Sequence, residues 1–256
     1  MIAPPQTTNH PLVGTAFDYL LRFYVKRLNP KATDTKWIAE CVVERGFFDS
    51  DKRRGRKANA VVAEARERYT KYLRTGRVGD ELLRSLMMLA QLDPLSRGYV
   101  PEFRVNSDGA IVPDFSFTDP SLADIRDLRR LLSVVPPHLF RAKRVCLLNP
   151  TFGEASRLVG GADADLVIDG VLVDIKTTKR FRIAADVQRQ ILGYYILSRL
   201  GRVDRMPRRN RITRLGIYFA RHGYLWTVNV KDIVDDRRLS TFAKWFVNRA
   251  RKEFGT

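Results

Sequence analysis

Gly160-Gly-Ala-Asp-Ala-Asp-Leu-Val-Ile-Asp-Gly-Val-Leu-Val-Asp-Ile-Lys-Thr-Thr-Lys179 is the stretch that constrains both fold and chemistry. Asp169-Gly170 stands between two short runs of Val, Ile and Leu, the pattern of a two-residue hairpin loop of primed type. With those two residues as the loop, Ile168 faces Val171, Val167 faces Leu172 and Leu166 faces Val173. The same register then sets Asp165 opposite Asp174, Ala164 opposite Ile175 and Asp163 opposite Lys176. Side chains alternate between faces, so Ala164, Leu166, Ile168, Val171, Val173 and Ile175 form one apolar side. The other side carries Val167 and Leu172 near the turn and Asp163, Asp165, Asp174 and Lys176 at the open end. A one-residue slip would mix the two sets, so the pattern specifies its own pairing.

An ordinary hairpin with a solvated outer face would carry an Asp163–Lys176 cross-strand pair worth roughly 0.2–1 kcal/mol. Asp165 opposite Asp174 argues for more than that, because like charges in direct juxtaposition destabilise a hairpin unless a cation lies between them. Carboxylates converging on one point suit a hard divalent ion such as Mg²⁺, which takes oxygen ligands and keeps several waters.

The rest of the composition narrows the classes. The chain has 256 residues, 45% of them hydrophobic, enough to bury a real core. Its 46 Lys and Arg against 28 Asp and Glu leave a net charge of +18, which points to a polyanionic partner, nucleic acid before membrane surface. No run of 18 apolar residues occurs, and Met1 to His10 lacks the basic and apolar regions of a signal peptide. A soluble, cytoplasmic protein is therefore expected. Two cysteines, Cys41 and Cys146, and three scattered histidines provide neither a disulfide framework nor a zinc or iron–sulfur site.

Working outward, apolar spacing predicts helices over 12–28, 35–46, 58–75, 79–92, 120–133, 183–200 and 239–253. Asp49 to Lys57 reads as a polar loop with a basic cluster, and Asn106-Ser-Asp-Gly109 as a turn between short extended pieces. Val145 to Leu148 reads as a strand, and 215–220 with 224–230 as a second hairpin around Arg221-His-Gly223. The order strand, strand, strand, helix, strand, strand, helix after residue 144 describes a mixed sheet flanked by helices.

An acidic strand, a short turn and then Asp174-Ile175-Lys176 resemble the PD-(D/E)xK nuclease superfamily, whose signature is an Asp, a hairpin and Asp or Glu, any residue, Lys. Gln190 and Tyr194, one turn apart on the next helix, resemble the Gln-x-x-x-Tyr motif of its RecB-like branch, and Gly160-Gly-Ala-Asp163 the branch's Gly-x-x-Asp. The branch's first helix bears Gly-x-x-x-His or a carboxylate at the His position; Gly14-Thr-Ala-Phe-Asp18 has that spacing and offers Asp. Glu154 is a weaker stand-in for the same position. Pro113-Asp114 is a decoy, far upstream of the strand where the superfamily's metal-binding Asp sits.

The resemblance implies a single α/β domain with a restriction-endonuclease-like core: a first core helix within 1–30, a mainly helical insertion at 31–141, and a catalytic core at 142–256. It implies a Mg²⁺-dependent deoxyribonuclease, with Mn²⁺ as a substitute and no iron–sulfur cluster. Asp163, Asp165, Asp174 and the Ile175 carbonyl would hold the metal, and Asp163 and Asp165 both stay open as its second carboxylate. Lys176 would attend the nucleophile, with Gln190, Tyr194 and Asp18 completing the catalytic set. Lys179, Arg180, Arg182, Arg189, Arg208 and Arg209 would contact nucleic-acid phosphates, with DNA favoured over RNA. No helicase motif is present, so targeting or processivity would come from a partner protein. The alternative is a nucleic-acid-binding protein that keeps the fold without cutting.

Overall fold

The computed structural model describes residues 1–96, 103–105, 109, 111–113 and 115–255. Their helices are α1 His10–Leu28, α2 Ile38–Glu44, α3 Lys52–Thr75, α4 Asp80–Ala90, α5 Asp93–Ser96, α6 Leu122–Ser133, α7 Glu154–Arg157, α8 Ala185–Leu200 and α9 Asp236–Phe254. The strands are β1 Thr33–Asp34, β2 Phe103–Val105, β3 Ile111–Pro113, β4 Cys146–Leu148, β5 Leu166–Ile168, β6 Val171–Lys176, β7 Arg214–Phe219 and β8 Tyr224–Asn229.

The chain divides into two compact units. A sheet unit comprises Met1–Ile2, Leu28–Thr35 and Val134–Thr256, and a helical unit comprises Ala3–Arg27 and Lys36–Ser133. The segment 31–141 thus falls mostly in the helical unit, together with nearly all of α1, while β1 goes to the sheet.

In the helical unit, an aromatic cluster of Tyr19, Phe23, Trp37 and Tyr69 sets α1 against α3, with ring centroids 4.2–6.5 Å apart. Such packing adds to plain area burial. Arg66 lies over the Trp37 ring at 3.6 Å and forks onto Glu40 at 2.5 and 2.6 Å. Of the run expected as a loop, the basic part, Lys52–Lys57, instead forms the first six residues of α3. Asp51 caps it by accepting from the Arg54 amide at 3.0 Å, so a cap hidden before a dense run of charge decides its conformation. β2 and β3 pair antiparallel, Phe103 with Pro113. Residues 106–108 of the expected turn, and Asp114, lie outside the described residues.

The sheet unit is α/β, with a six-stranded mixed sheet in the order β1-β4-β5-β6-β7-β8. β1 is parallel to β4 and β6 to β7, and the other neighbours are antiparallel. The hairpin forms as its alternation requires: Ile168 pairs with Val171, Val167 with Leu172 and Leu166 with Val173. Asp169 (φ 46°) and Gly170 (φ 83°) both take the left-handed conformation of a type I′ loop. Asp169 does more than turn the chain. Its carboxylate accepts the backbone N–H groups of Lys143, Arg144 and Val145 at 2.6, 2.9 and 2.9 Å, tying the hairpin tip to the entry of β4. Burial alone would raise its pKa, but these three bonds and nearby Arg144 outweigh that and hold it below the ordinary Asp value.

Both faces of the hairpin are dry near the turn. Leu147, Val167, Leu172 and Leu215 pack under α8 with Ile191, Tyr195 and Phe152. On the opposite face Leu166 and Val173 are buried, and Phe140 meets Tyr218 edge-on, with centroids 4.9 Å apart. α8 therefore lies on the face that carries the acids, and its apolar stripe covers only the turn-proximal half of that face.

Candidate functional site

Past Leu166 and Val173 the ladder stops, and the expected pairing of Asp163 with Lys176 gives way to a different arrangement. Asn149, in the left-handed region at φ 52°, bends the chain after β4. Residues 163–165 follow that bend: the Asn149 amide donates to the Asp165 carbonyl at 2.9 Å, the Ala164 amide to the Pro150 carbonyl at 3.0 Å, and Asp163 bridges Thr151. A continued hairpin would send the Ile175 N–H to the Ala164 carbonyl. That amide instead donates to Oδ2 of Asp165 at 2.6 Å, so a side-chain carboxylate spans the gap where the strands part. Asp165 and Asp174 share an end of the sheet without the direct opposition that an unbroken register implies.

Asp174 is 1% exposed, beside Ile217 on β7. A carboxylate at that depth needs a counter-charge or a strong donor set, because burial of an unpaired ion is costly. Lys176, two residues on and on the same face, supplies one: its Nζ lies 3.0 Å from Oδ1 and 2.8 Å from Oδ2. The same ammonium donates to Oε1 of Gln190 at 2.8 Å, and Nε2 of Gln190 donates to the Tyr194 hydroxyl at 2.8 Å. An ammonium only donates, so Gln190 must present its oxygen to Lys176 and its nitrogen to Tyr194. The phenol, accepting from Gln190, keeps its own proton to offer.

Tyr194 is where the acids meet electrostatically. Its pKa is pushed far above the ordinary tyrosine value, first by burial and then by Asp165, with Asp163 and Asp174 adding to the shift against the bond from Gln190. Phe152 stacks on its ring at 5.7 Å and fixes it against the sheet. The structure thus brings together Asp163, Asp165, Asp174, Lys176, Gln190 and Tyr194 at the open end of β5 and β6. Asp18 sits on α1 in the helical unit, where Arg22 one turn later meets its carboxylate at 2.6 Å. Glu154 is exposed at the start of α7 and pairs with Arg157 at 2.8 Å.

Two positioning groups were not anticipated. Arg221, read from the sequence as part of a turn, is 1% exposed, and its Nε donates to the Thr177 carbonyl at 2.7 Å, pinning the chain directly after Lys176. Gly223 makes that corner possible: its φ is +57°, and a Cβ there would meet the Val134 carbonyl at 2.7 Å. Phe181, 56% exposed, rests on Phe219, His222 and Tyr224 with centroids 4.8–5.5 Å apart, and so anchors the segment that bears Lys179, Arg180 and Arg182. A lone arginine or phenylalanine in a loop has no periodicity to expose it. Of the remaining basic candidates, Arg189 lines a groove between α8 and α9, Arg208 lines a pocket after α8, and Arg209 is exposed.

Among the described residues no three His, Cys, Asp or Glu side chains are gathered tightly enough to form a self-sufficient metal cage. Mg²⁺ asks for less, since one or two carboxylates with waters and substrate phosphates suffice. Asp174, with Asp163 or Asp165 and the Ile175 carbonyl, offers hard oxygen donors of the type this ion takes. Asp165 accepts the Ile175 amide through Oδ2, which orients its carboxylate toward the end of β6.

Comparison with known proteins returns no match to any family model, curated protein or solved structure. Among the described residues no helix is long and apolar enough to cross a membrane.

Proposed function

We propose that this chain is a Mg²⁺-dependent nuclease that hydrolyses DNA phosphodiester bonds, built on a restriction-endonuclease-like core and acting in the cytoplasm. The observation that carries the reading is the linked set Asp174, Lys176, Gln190 and Tyr194, with Asp163 and Asp165 beside it, at one end of a mixed sheet. A purely structural ion pair would not need Gln190 and Tyr194 wired to it, nor two further carboxylates.

Mg²⁺, or Mn²⁺ in its place, held by Asp174 with Asp163 or Asp165 and the Ile175 carbonyl, would supply an acidified water and charge stabilisation at the phosphate. The protein's own groups do the rest. Lys176 holds a positive charge at the rim of a buried carboxylate, where it orients a water and offsets charge developing on phosphate oxygens. Gln190 holds Lys176 in place. Tyr194, kept protonated by burial and by its acidic neighbours, offers a hydrogen bond to an anionic oxygen at neutral pH. The formal charge of +18, with Lys179, Arg180 and Arg182 on the segment that follows Lys176 and Arg189 next to Gln190 in the chain, favours approach of a polyanion.

The test is cleavage of supercoiled plasmid and of single-stranded oligonucleotides in Mg²⁺ against EDTA, with Asp174→Ala and Lys176→Ala alongside the wild type. Cleavage should require the metal and fall at least about 10²-fold in each variant. Undiminished cleavage by both variants sinks the assignment. Salt-sensitive DNA binding without turnover, indifferent to Mg²⁺ and to Asp174→Ala, establishes the non-cutting alternative instead.

A further inference from the structure

α8 ends at Leu200, and the chain that leaves it closes a pocket of about 320 Å³ lined by Ser198, Arg199, Arg202, Val203, Met206, Arg208, Asn210, Arg211 and Ile212. Four of these residues are arginines, and none of the described lining residues is acidic. Asp204 and Asp236, adjacent to lining residues, are engaged elsewhere or at the margin. Asp204 accepts from the Thr151 hydroxyl and from the Gly153 amide, and exposed Asp236 lies 3.4 Å from Arg199, whose guanidinium also donates to the Tyr195 hydroxyl at 2.8 Å.

The loop is built rather than merely solvated. Arg202 and Arg205 both hold left-handed backbone, at φ 64° and 60°, a conformation uncommon for residues other than Gly, Asn and Asp. The Asp204 amide donates to the Thr151 carbonyl at 2.9 Å, and Arg205 reaches the Asp34 carbonyl at 2.9 Å. A Cβ on Gly201 would lie 2.0 Å from the Phe152 carbonyl, so glycine alone permits this close docking. The bends at 202 and 205 are held from outside the pocket while the arginines line its inside. Repulsion would spread Arg202, Arg208 and Arg211 apart in a free loop, so a fold that gathers them with Arg199 of α8 around a cavity favours an anion within it.

We propose that this pocket binds a phosphate group. Guanidinium forks match phosphate oxygens in geometry as well as charge, and the cavity is large enough for a phosphate with part of a nucleotide attached. The pocket is distinct from the acidic site. Ser198 stands eight residues beyond Gln190, about 12 Å along α8. The phosphate can belong to a nucleic-acid strand or to a free mononucleotide or inorganic phosphate.

Arg202→Gln/Arg211→Gln in the full chain tests the proposal, with Arg202→Lys/Arg211→Lys as the charge-preserving control and circular dichroism to verify folding. Inorganic phosphate is titrated by calorimetry, and a single-stranded oligonucleotide by fluorescence anisotropy at several salt concentrations. The wild type should bind phosphate, the Gln variant should bind it at least about 10-fold more weakly, and the Lys variant should fall between, since an ammonium lacks the fork. If the oligonucleotide also loses affinity, with its salt dependence reduced by roughly 0.7 for each phosphate no longer neutralised, the phosphate belongs to a strand. Unchanged oligonucleotide binding with lost phosphate binding identifies a free anion. A wild type that does not take up phosphate, or a folded Gln variant that binds both probes as the wild type does, overturns the proposal. Neither result bears on Mg²⁺-dependent cleavage through Asp174, which is measured separately.

Discussion

The two ends of the β5–β6 hairpin are made from the same two strands and differ in what covers them. Near the turn, Val167 and Leu172 lie beneath Ile191 and Tyr195 of α8, and the pairing follows the ladder rule residue by residue. At the open end the same face carries Asp165 and Asp174. There α8 presents Gln190 and Tyr194, and the strands separate enough for a carboxylate to reach across to a backbone amide. A single helix thus serves as a lid over apolar side chains along part of its length and as a source of polar ligands along the rest. The lesson is one of division: the dry end supplies the free energy that lets the acidic end hold a carboxylate at 1% exposure beside an ammonium.

That division can be broken from either side. The largest expected effect is on the proposed cleavage. Asp174→Asn keeps the shape of the side chain and its bond from Lys176 but removes the charge, so cleavage should fall by about 10³-fold while the thermal midpoint moves little. A collapse of stability comparable to that of a core truncation would mean that Asp174 is structural and that the two ends are not separate. Leu172→Ala attacks the other end. Truncating a fully buried leucine under α8 should cost about 2–5 kcal/mol, read from denaturant midpoints, with cleavage per folded molecule near that of the wild type. The smallest effect concerns the hairpin tip. Asp169→Asn retains a residue that tolerates left-handed backbone but weakens three bonds to the amides of 143–145, for a loss of about 1 kcal/mol after allowance for the turn's exposure. Because the folded state depresses the Asp169 pKa, its contribution is present above the unfolded value near 4 and disappears as pH falls through the folded one. Acid titration of stability should therefore be flatter below about pH 4 in the variant than in the wild type.

The same contrast explains what could be read from the sequence. The turn, the register as far as Leu166 and Val173, and the face shared by Asp174 and Lys176 follow from alternation and from a loop that only a few residue pairs can form. The spacing of Gln190 and Tyr194 needs only the period of a helix. The lateral reach of Asp165 was hidden, because a register assumes that a ladder continues, and the signal that it does not is a left-handed Asn149 just past the end of β4. β1 was equally hidden: Thr33 and Asp34 are two polar residues whose extended form is set by pairing with Leu147 and Leu148. Arg221 could be found only by knowing that a carbonyl at Thr177 needed a donor.

The amide of Gln190 gives the wired set a direction. From Asp174 outward, Lys176 gives a proton inward to a carboxylate and another to the Gln190 oxygen, and Gln190 gives one of its own to the phenol oxygen, so the last group in the series is left with a proton to spend. Glutamate at 190 has the same length and could still take the bond from Lys176, but it has nothing to give to Tyr194. The phenol would then have to turn its proton back toward residue 190. Gln190→Glu should thus leave the bond from Lys176 in place while silencing Tyr194 as a donor, and reduce cleavage activity as much as Tyr194→Phe. A side chain usually counted as a spacer between charges would in that case set the polarity of the whole site.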